Sequence, residues 1–135
     1  MVYLDTNVLI YATLEQDRQK KEISITLIES LTDAKALILS PLTLQEYIFT
    51  LGRLGISGEI IAHDVTFYQE HLGENYDAQM LVTAMQQCVQ SHTCKHINDL
   101  LHLQIANRYA DKLVTFDRDF RKLREYAGVE VEVLL

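Results

Sequence analysis

The chain has 135 residues, 48% hydrophobic and 23% charged, with a net charge of −7. No apolar run approaches the roughly 18 residues that cross a bilayer, and the N-terminus lacks the basic segment and cleavage site of a secretory signal. The acidic total argues against a broadly basic nucleic-acid-binding protein, unless acidic side chains converge on divalent cations that reverse the local field. We expect a single cytoplasmic domain over residues 1–135, with no membrane partner.

Apolar periodicity predicts that strands alternate with helices along the chain. Short apolar runs between polar residues are typical of buried strands, and apolar residues three and four apart are typical of one helix face. Predicted strands cover residues 2–4, 36–39, 113–116 and 129–134. Predicted helices cover residues 8–11, 18–34, 41–53, 61–72, 81–88 and 98–110, with a loop and short helix at 117–126. This alternation predicts an α/β fold, a three-layer α/β/α sandwich with a mainly parallel sheet.

The cysteines and histidines give weak signals. Cys88 lies on the apolar side of its predicted helix, so we expect a buried, reduced thiol, although a disulfide with Cys94 is possible. The spacing of His92, His96 and His102 lacks the paired pattern of a structural zinc site. We expect His102 to be exposed or half-buried, near enough to Asp99 on its helix to reach the rim of a crevice.

Carboxylates directly follow two of the predicted strands. Asp5 follows the strand at residues 2–4, and Asp117 follows the strand at 113–116. Ligands of open parallel sheets bind at the carboxyl ends of the strands. Two acids at two such ends can meet in one crevice, where their repulsion favours a bound cation.

Two further acids stand at helix ends on the same predicted side. Asp99 lies at the start of the predicted helix at residues 98–110, on the same face as Leu103 and Ala106. Glu46 lies in the first turns of the predicted helix at 41–53, which follows the second strand. Hard cations such as Mg²⁺ or Mn²⁺ prefer oxygen ligands, and a few carboxylates suffice to hold them. The candidate catalytic and metal-binding acids are Asp5, Glu46, Asp99 and Asp117.

Three of these acids also have a local structural explanation. Thr43 and Glu46 have the spacing of a capping box. Asp99 is favoured at a helix N-terminus by the helix dipole, and Asp117 could cap the turn that follows it. Asp5 is harder to explain in this way, because an unpaired acid after a buried strand is costly in a dry site.

Four segments carry a more specific signal. They are Asp5-Thr6-Asn7-Val8-Leu9-Ile10, Glu46, Asn98-Asp99-Leu100-Leu101 leading to Ala106, and Thr115-Phe116-Asp117-Arg118-Asp119-Phe120. Their order and spacing resemble the successive motifs of the PIN domain, over essentially the whole chain. The resemblance implies a parallel sheet between helical layers and metal-dependent cleavage of RNA. The most abundant small members of this family are VapC-like toxins of toxin–antitoxin pairs.

The resemblance also implies roles for individual residues. The four acids match the acidic quartet of the family, Asn7 and Thr115 match polar residues that support it, and Asp119 matches a more variable acid nearby. The chain departs from many relatives at His96, where they carry a further acid. For RNA binding we expect a local basic rim at Arg118 and Arg121.

The leading hypothesis is a Mg²⁺- or Mn²⁺-dependent endoribonuclease that acts as the toxin of a type II toxin–antitoxin pair. A cognate antitoxin and a homodimer through apolar positions of the early helices are then expected. The alternatives are a PIN-fold RNA-processing nuclease outside such a pair and a catalytically silent interaction module. A haloacid-dehalogenase-like phosphoryl-transfer enzyme is less consistent with the sequence, since it needs an acid where this chain has Asn7.

Overall fold

Four parallel strands form the middle layer of the molecule. The computed structural model describes residues 1–135. The sheet has the order β2-β1-β3-β4, and every neighbouring pair is parallel. The strands are β1 (Val2–Leu4), β2 (Leu37–Ile38), β3 (Lys112–Thr115) and β4 (Glu130–Val133).

Six α-helices connect and cover these strands, and none is long and apolar enough to cross a membrane. They are α1 (Thr6–Thr13), α2 (Arg18–Asp33), α3 (Pro41–Arg53), α4 (Gly58–Tyr68), α5 (Ala78–Ser91) and α6 (Ile97–Tyr109). Short 3-10 helices lie at Gln69–His71, Cys94–His96 and Arg118–Tyr126.

Successive side chains of the central strands enter two separate cores. Tyr3 and Leu113 pack with α5 and α6 on one face, and Leu4 and Val114 pack with α1 to α4 on the other. This division follows from the alternation of side chains along a strand. All four side chains are fully buried. The predicted α/β sandwich with a parallel sheet is therefore confirmed.

Helix α5 buries only a narrow apolar face. Leu81 and Met85 are 42% and 46% exposed, whereas Met80, Ala84 and Cys88 are buried. The buried residues recur every four positions, which is the spacing of one narrow stripe on a helix. The stripe packs into the core with α6, so the apolar residues beside it face solvent.

The structure joins Cys88 and Cys94 in a disulfide, so the prediction of a reduced Cys88 is wrong. Helix α5 ends at Ser91, and His92 adopts a left-handed conformation with φ of 57°. This cap reverses the chain and leaves the two Cα atoms 4.6 Å apart, which is within the range of disulfides. A reversal of this kind depends on one backbone conformation, which the apolar pattern of the helix does not indicate.

Candidate active site

A polar cavity of about 340 Å³ opens at the carboxyl ends of β1 and β3. Its walls come from α1, α3, α6 and the segment after β3. The four acids predicted from the sequence all line it, namely Asp5, Glu46, Asp99 and Asp117. Residues that are far apart in the chain thus contribute carboxylates to one space.

Asp5 is held at the end of β1 by two hydrogen bonds. It is the N-cap of α1, and its Oδ1 accepts from the backbone N–H of Thr6 at 2.8 Å. Its Oδ2 accepts from the hydroxyl of Thr115 at 2.7 Å. Asp5 is only 5% exposed. Burial raises the pKa of this carboxyl, although His102 and the Thr115 hydroxyl oppose the shift.

Asn7 and Thr115 tie the ends of β1 and β3 together. The Asn7 amide donates to Thr115 Oγ1 at 3.1 Å, and its oxygen accepts from the backbone N–H of Phe116 at 3.1 Å. Thr115 Oγ1 also accepts from the backbone N–H of Asp117 at 2.9 Å. Because the same hydroxyl donates to Asp5, it fixes the relative positions of two site acids.

Asp117 caps the 3-10 helix that follows it, as its sequence position allows. Only one of its two carboxylate oxygens is used for this cap. Its Oδ1 accepts from the backbone N–H of Asp119 at 2.8 Å at the start of the 3-10 helix. The residue still lines the cavity. Capping and a position at the site are therefore compatible for this acid.

Glu46 is the most heavily hydrogen-bonded of the four acids. Its Oε1 accepts from the Thr6 hydroxyl at 2.6 Å and from His102 Nε2 at 2.5 Å. Its Oε2 accepts from the Asn98 amide at 2.8 Å. Burial would raise the pKa of Glu46, but the bonds from His102, Thr6 and Asn98 lower this pKa to about 2.

These partners exclude the capping-box explanation of Glu46. The N-cap of α3 is Ser40, whose side chain accepts from the backbone N–H of Thr43 at 3.1 Å. Glu46 accepts from side chains of α1 and α6 instead of from the backbone of its own helix. Its position thus serves the cavity and not the start of α3.

Asp99 lies beside two other acids and one histidine. Its side chain is 21% exposed, and its Oδ2 is 3.1 Å from His96 Nδ1. Burial and the charges of Asp5 and Asp117 raise the pKa of Asp99 to about 6, against the opposing effect of His96. In the absence of a cation, this carboxylate therefore resists ionisation, as Asp5 does.

Asp119 lies outside the cavity walls. Its side chain is 44% exposed, with Oδ1 3.4 Å from Lys122 Nζ and Oδ2 3.8 Å from His96 Nε2. His96 is buried between Asp99 and Asp119. A histidine therefore links these two acids at the position where many relatives carry a further acid.

His102 was expected to reach the rim of the crevice, but its burial and its contact with Glu46 were not predicted from the sequence. It is 1% exposed, so the prediction of an exposed or half-buried histidine is wrong. Helix α6 is covered on nearly all sides, because Leu100, Leu101, Leu103 and Ile105 are buried as well. This run of apolar residues without a clear polar face was the available signal, since it is typical of a helix buried all round.

The electrostatic environment of His102 is dominated by its polar neighbours. Burial alone would lower the pKa of its imidazole. Tyr3, Glu46 and Asp5 outweigh this effect and raise the pKa of His102 well above its ordinary value. The buried imidazole thus lies beside two of the site carboxylates, with Nε2 2.5 Å from Glu46 Oε1 and 3.8 Å from Asp5 Oδ1.

Neither arginine predicted for RNA binding lines the cavity. Arg118 donates through Nη2 to the carbonyl oxygen of Leu135 at 3.2 Å, and Arg121 is exposed. Lys20 is a basic side chain that lies beside the cavity wall. Its Nζ lies 4.7 Å from the ring centroid of Tyr11, which lines the cavity.

The donor set of the cavity fits a hard divalent cation. Four carboxylates converge there, and oxygen is the ligand atom that Mg²⁺ and Mn²⁺ prefer. The tightest group of potential ligand atoms is Asp5, Glu46 and His102, within 4.8 Å of one another. Glu46 already contacts His102 Nε2. The better candidates for direct metal ligands are therefore the other three acids, Asp5, Asp99 and Asp117.

Comparisons with known proteins agree with this architecture. The chain superposes on VapBC2 from Rickettsia felis, solved bound to a DNA fragment from their promoter, with a TM-score of 0.69 and 20% identity over 100% of both chains. FitAcB from Neisseria gonorrhoeae gives a TM-score of 0.65 and 18% identity over 98% of this chain and 96% of that chain. No curated protein matches the sequence significantly. The PIN domain family model matches residues 2–126, and the chain therefore belongs to the PIN domain family.

Proposed function

We propose that this protein is a divalent-metal-dependent endoribonuclease and the toxin of a type II toxin–antitoxin pair. The observation that carries the proposal is the convergence of Asp5, Glu46, Asp99 and Asp117 on one cavity of about 340 Å³. Membership of the PIN domain family supports a nuclease. A bound Mg²⁺ or Mn²⁺ would supply an activated water and neutralise charge on the phosphoryl oxygens of RNA.

The residues of the chain divide the work of the site between holding the cation and orienting its ligands. Asp5, Asp99 and Asp117 would hold the cation. Asn7 and Thr115 orient Asp5 and Asp117 by the hydrogen bonds that join β1 to β3. Asp119 supports the site only indirectly. Its carboxylate lies near His96, and its backbone N–H donates to Asp117 Oδ1.

Glu46 contributes charge and orientation instead of proton transfer. With a pKa of about 2, it is a weak base at neutral pH. Its Oε2 accepts only from Asn98, so this oxygen keeps capacity to accept from a water that a bound cation would hold. Asn7 cannot replace the second acid of a haloacid-dehalogenase-like site, since both ends of its amide are bound to Thr115 and Phe116.

RNA would reach the cavity along a basic rim. Arg121 is free to contact a phosphate, Arg118 would first have to leave the Leu135 carbonyl, and Lys20 adds a charge beside Tyr11. Such contacts supply affinity without base readout. The rim therefore compensates locally for the net charge of −7.

A cognate antitoxin is the proposed partner. The two structural neighbours were solved as VapBC2 and FitAcB, the first bound to promoter DNA. We also propose a cytoplasmic homodimer with one domain over residues 1–135. Its candidate surface includes exposed apolar side chains on α3, directly after α3 and on α4, namely Ile48, Phe49, Leu54, Ile60 and Phe67.

The test of this function is cleavage of single-stranded RNA by the purified protein. We expect cleavage with Mn²⁺ and none after EDTA is added. Cleavage that survives chelation would contradict the metal mechanism. No cleavage of any RNA, together with tight binding of a protein partner, would favour the silent interaction module. Cleavage with no antitoxin encoded beside the gene would favour an RNA-processing nuclease.

A further inference from the structure

We propose that His102 is a positioning residue that holds the Glu46 carboxylate in place at the cavity. The proposal deepens the nuclease function above and rests on it for its catalytic consequence. Its basis is geometric, namely a buried imidazole whose two nitrogens bind Glu46 on one side and a hydroxyl network on the other.

The hydroxyl network fixes the orientation of the imidazole ring. His102 Nδ1 is 2.6 Å from the Tyr3 hydroxyl. This hydroxyl is in turn 2.7 Å from Ser40 Oγ and 3.0 Å from Thr43 Oγ1. Since His102, Tyr3, Ser40 and Thr43 are all buried, water does not compete for these contacts. The ring cannot rotate without breaking at least one of them.

The opposite ring nitrogen determines which oxygen of Glu46 remains available. Oε1 already accepts from His102 and Thr6, so both of its lone pairs are used. Oε2 accepts only from Asn98. The whole contribution of Glu46 to the cavity therefore passes through Oε2, and the bond from His102 decides where that oxygen lies.

The same network connects the helices that carry two of the site acids. Helix α3 contributes Ser40 as its N-cap and carries Glu46, and α6 carries both Asp99 and His102. Tyr3 on β1 lies between them, two residues before Asp5. The network thus sets the relative positions of three chain segments that supply carboxylates to the cavity.

A set of three substitutions separates positioning from packing. His102→Gln can place an amide N–H where Nε2 lies and still donate to Glu46. His102→Asn reaches only the Tyr3 side, and His102→Leu fills the space without polar atoms. We expect His102→Leu and His102→Asn to lose about tenfold or more in kcat/KM, as is typical when a partner of a ligand is removed. His102→Gln should recover most of that loss. His63→Gln, on the exposed side of α4, is the matched control.

Crystal structures of the metal-free variants provide a readout that does not depend on activity. We expect Glu46 to leave its present rotamer in His102→Leu and to keep it in His102→Gln. Unchanged Glu46 in both variants would overturn the proposal, as would losses that are equal in all three variants and follow thermal stability. Mn²⁺ coordinated directly by His102 Nε2 would also overturn it. If the wild-type protein cleaves no RNA, the proposed function fails, while the Glu46 rotamers still decide this inference.

Discussion

Replacing Asp99 with asparagine is expected to stabilise the metal-free protein. The pKa of Asp99 is raised from 3.8 to about 6 by burial and by the charges of Asp5 and Asp117. A folded-state pKa above the unfolded value means that the native state binds more protons than the unfolded state between those limits. Stability is therefore lost as pH rises from about 4 to 6 through this group, and the full cost is present above pH 6.

The size of this effect follows from the shift. Each pKa unit corresponds to about 1.4 kcal/mol. A shift of about two units, less some weakening of the His96 contact, predicts that Asp99→Asn gains about 1–3 kcal/mol at pH 7.5 and nothing near pH 4. Glu46→Gln is the matched control with the opposite sign. Its lowered pKa of about 2 stabilises the fold above pH 4.5, and this stabilisation is lost as pH falls towards 2.

Urea denaturation in EDTA at pH 4 and 7.5 measures both variants. We expect Asp99→Asn to be more stable than the wild type at the higher pH only. Glu46→Gln should be less stable at both pH values, because the stabilisation by Glu46 is lost only as pH falls towards 2. Addition of Mn²⁺ should reverse the order for Asp99, because the cation stabilises only a protein that binds it in the folded state. An Asp99→Asn protein that is less stable than the wild type at pH 7.5 without metal would refute the reasoning.

Three further outcomes are expected. Thr115→Val keeps the side-chain shape but removes the hydrogen bond to Asp5, so it should lower kcat about tenfold. Thr115→Ser keeps the hydroxyl and should retain activity. Equal activity of the two variants would contradict the orienting role of Thr115. Arg118→Ala should raise KM for RNA with Mn²⁺ affinity unchanged in calorimetry, and an unchanged KM would remove Arg118 from the rim. The Cys88–Cys94 disulfide closes so short a loop that its reduction should lower the free energy of unfolding by only about 2 kcal/mol in urea titrations. Two free thiols found before reduction would show that the bond is absent.

The parts of the site that the sequence predicted most directly are those fixed by strand ends. Asp5 and Asp117 follow buried apolar runs, and in a parallel sheet the ends of neighbouring strands meet at one edge. The positions of Asn7 and Thr115 follow from the same register, since each lies two residues from one of these acids along the chain.

The parts that it missed depend on three-dimensional packing. His102 is buried because α6 is covered on nearly all sides, which a single amphipathic face did not suggest. The partner of Arg118 is the carbonyl of Leu135, a contact between segments that have no pattern in common. The disulfide depends on the left-handed cap at His92, which sequence periodicity does not encode.

The central claim is that acids from separate segments bind one divalent cation, and anomalous diffraction from Mn²⁺-soaked crystals tests it most directly. We predict a manganese peak within the cavity, coordinated by carboxylate oxygens of Asp5, Asp99 and Asp117, that disappears in Asp5→Asn. A peak bound elsewhere, or a cavity that stays empty at saturating Mn²⁺, would contradict the account.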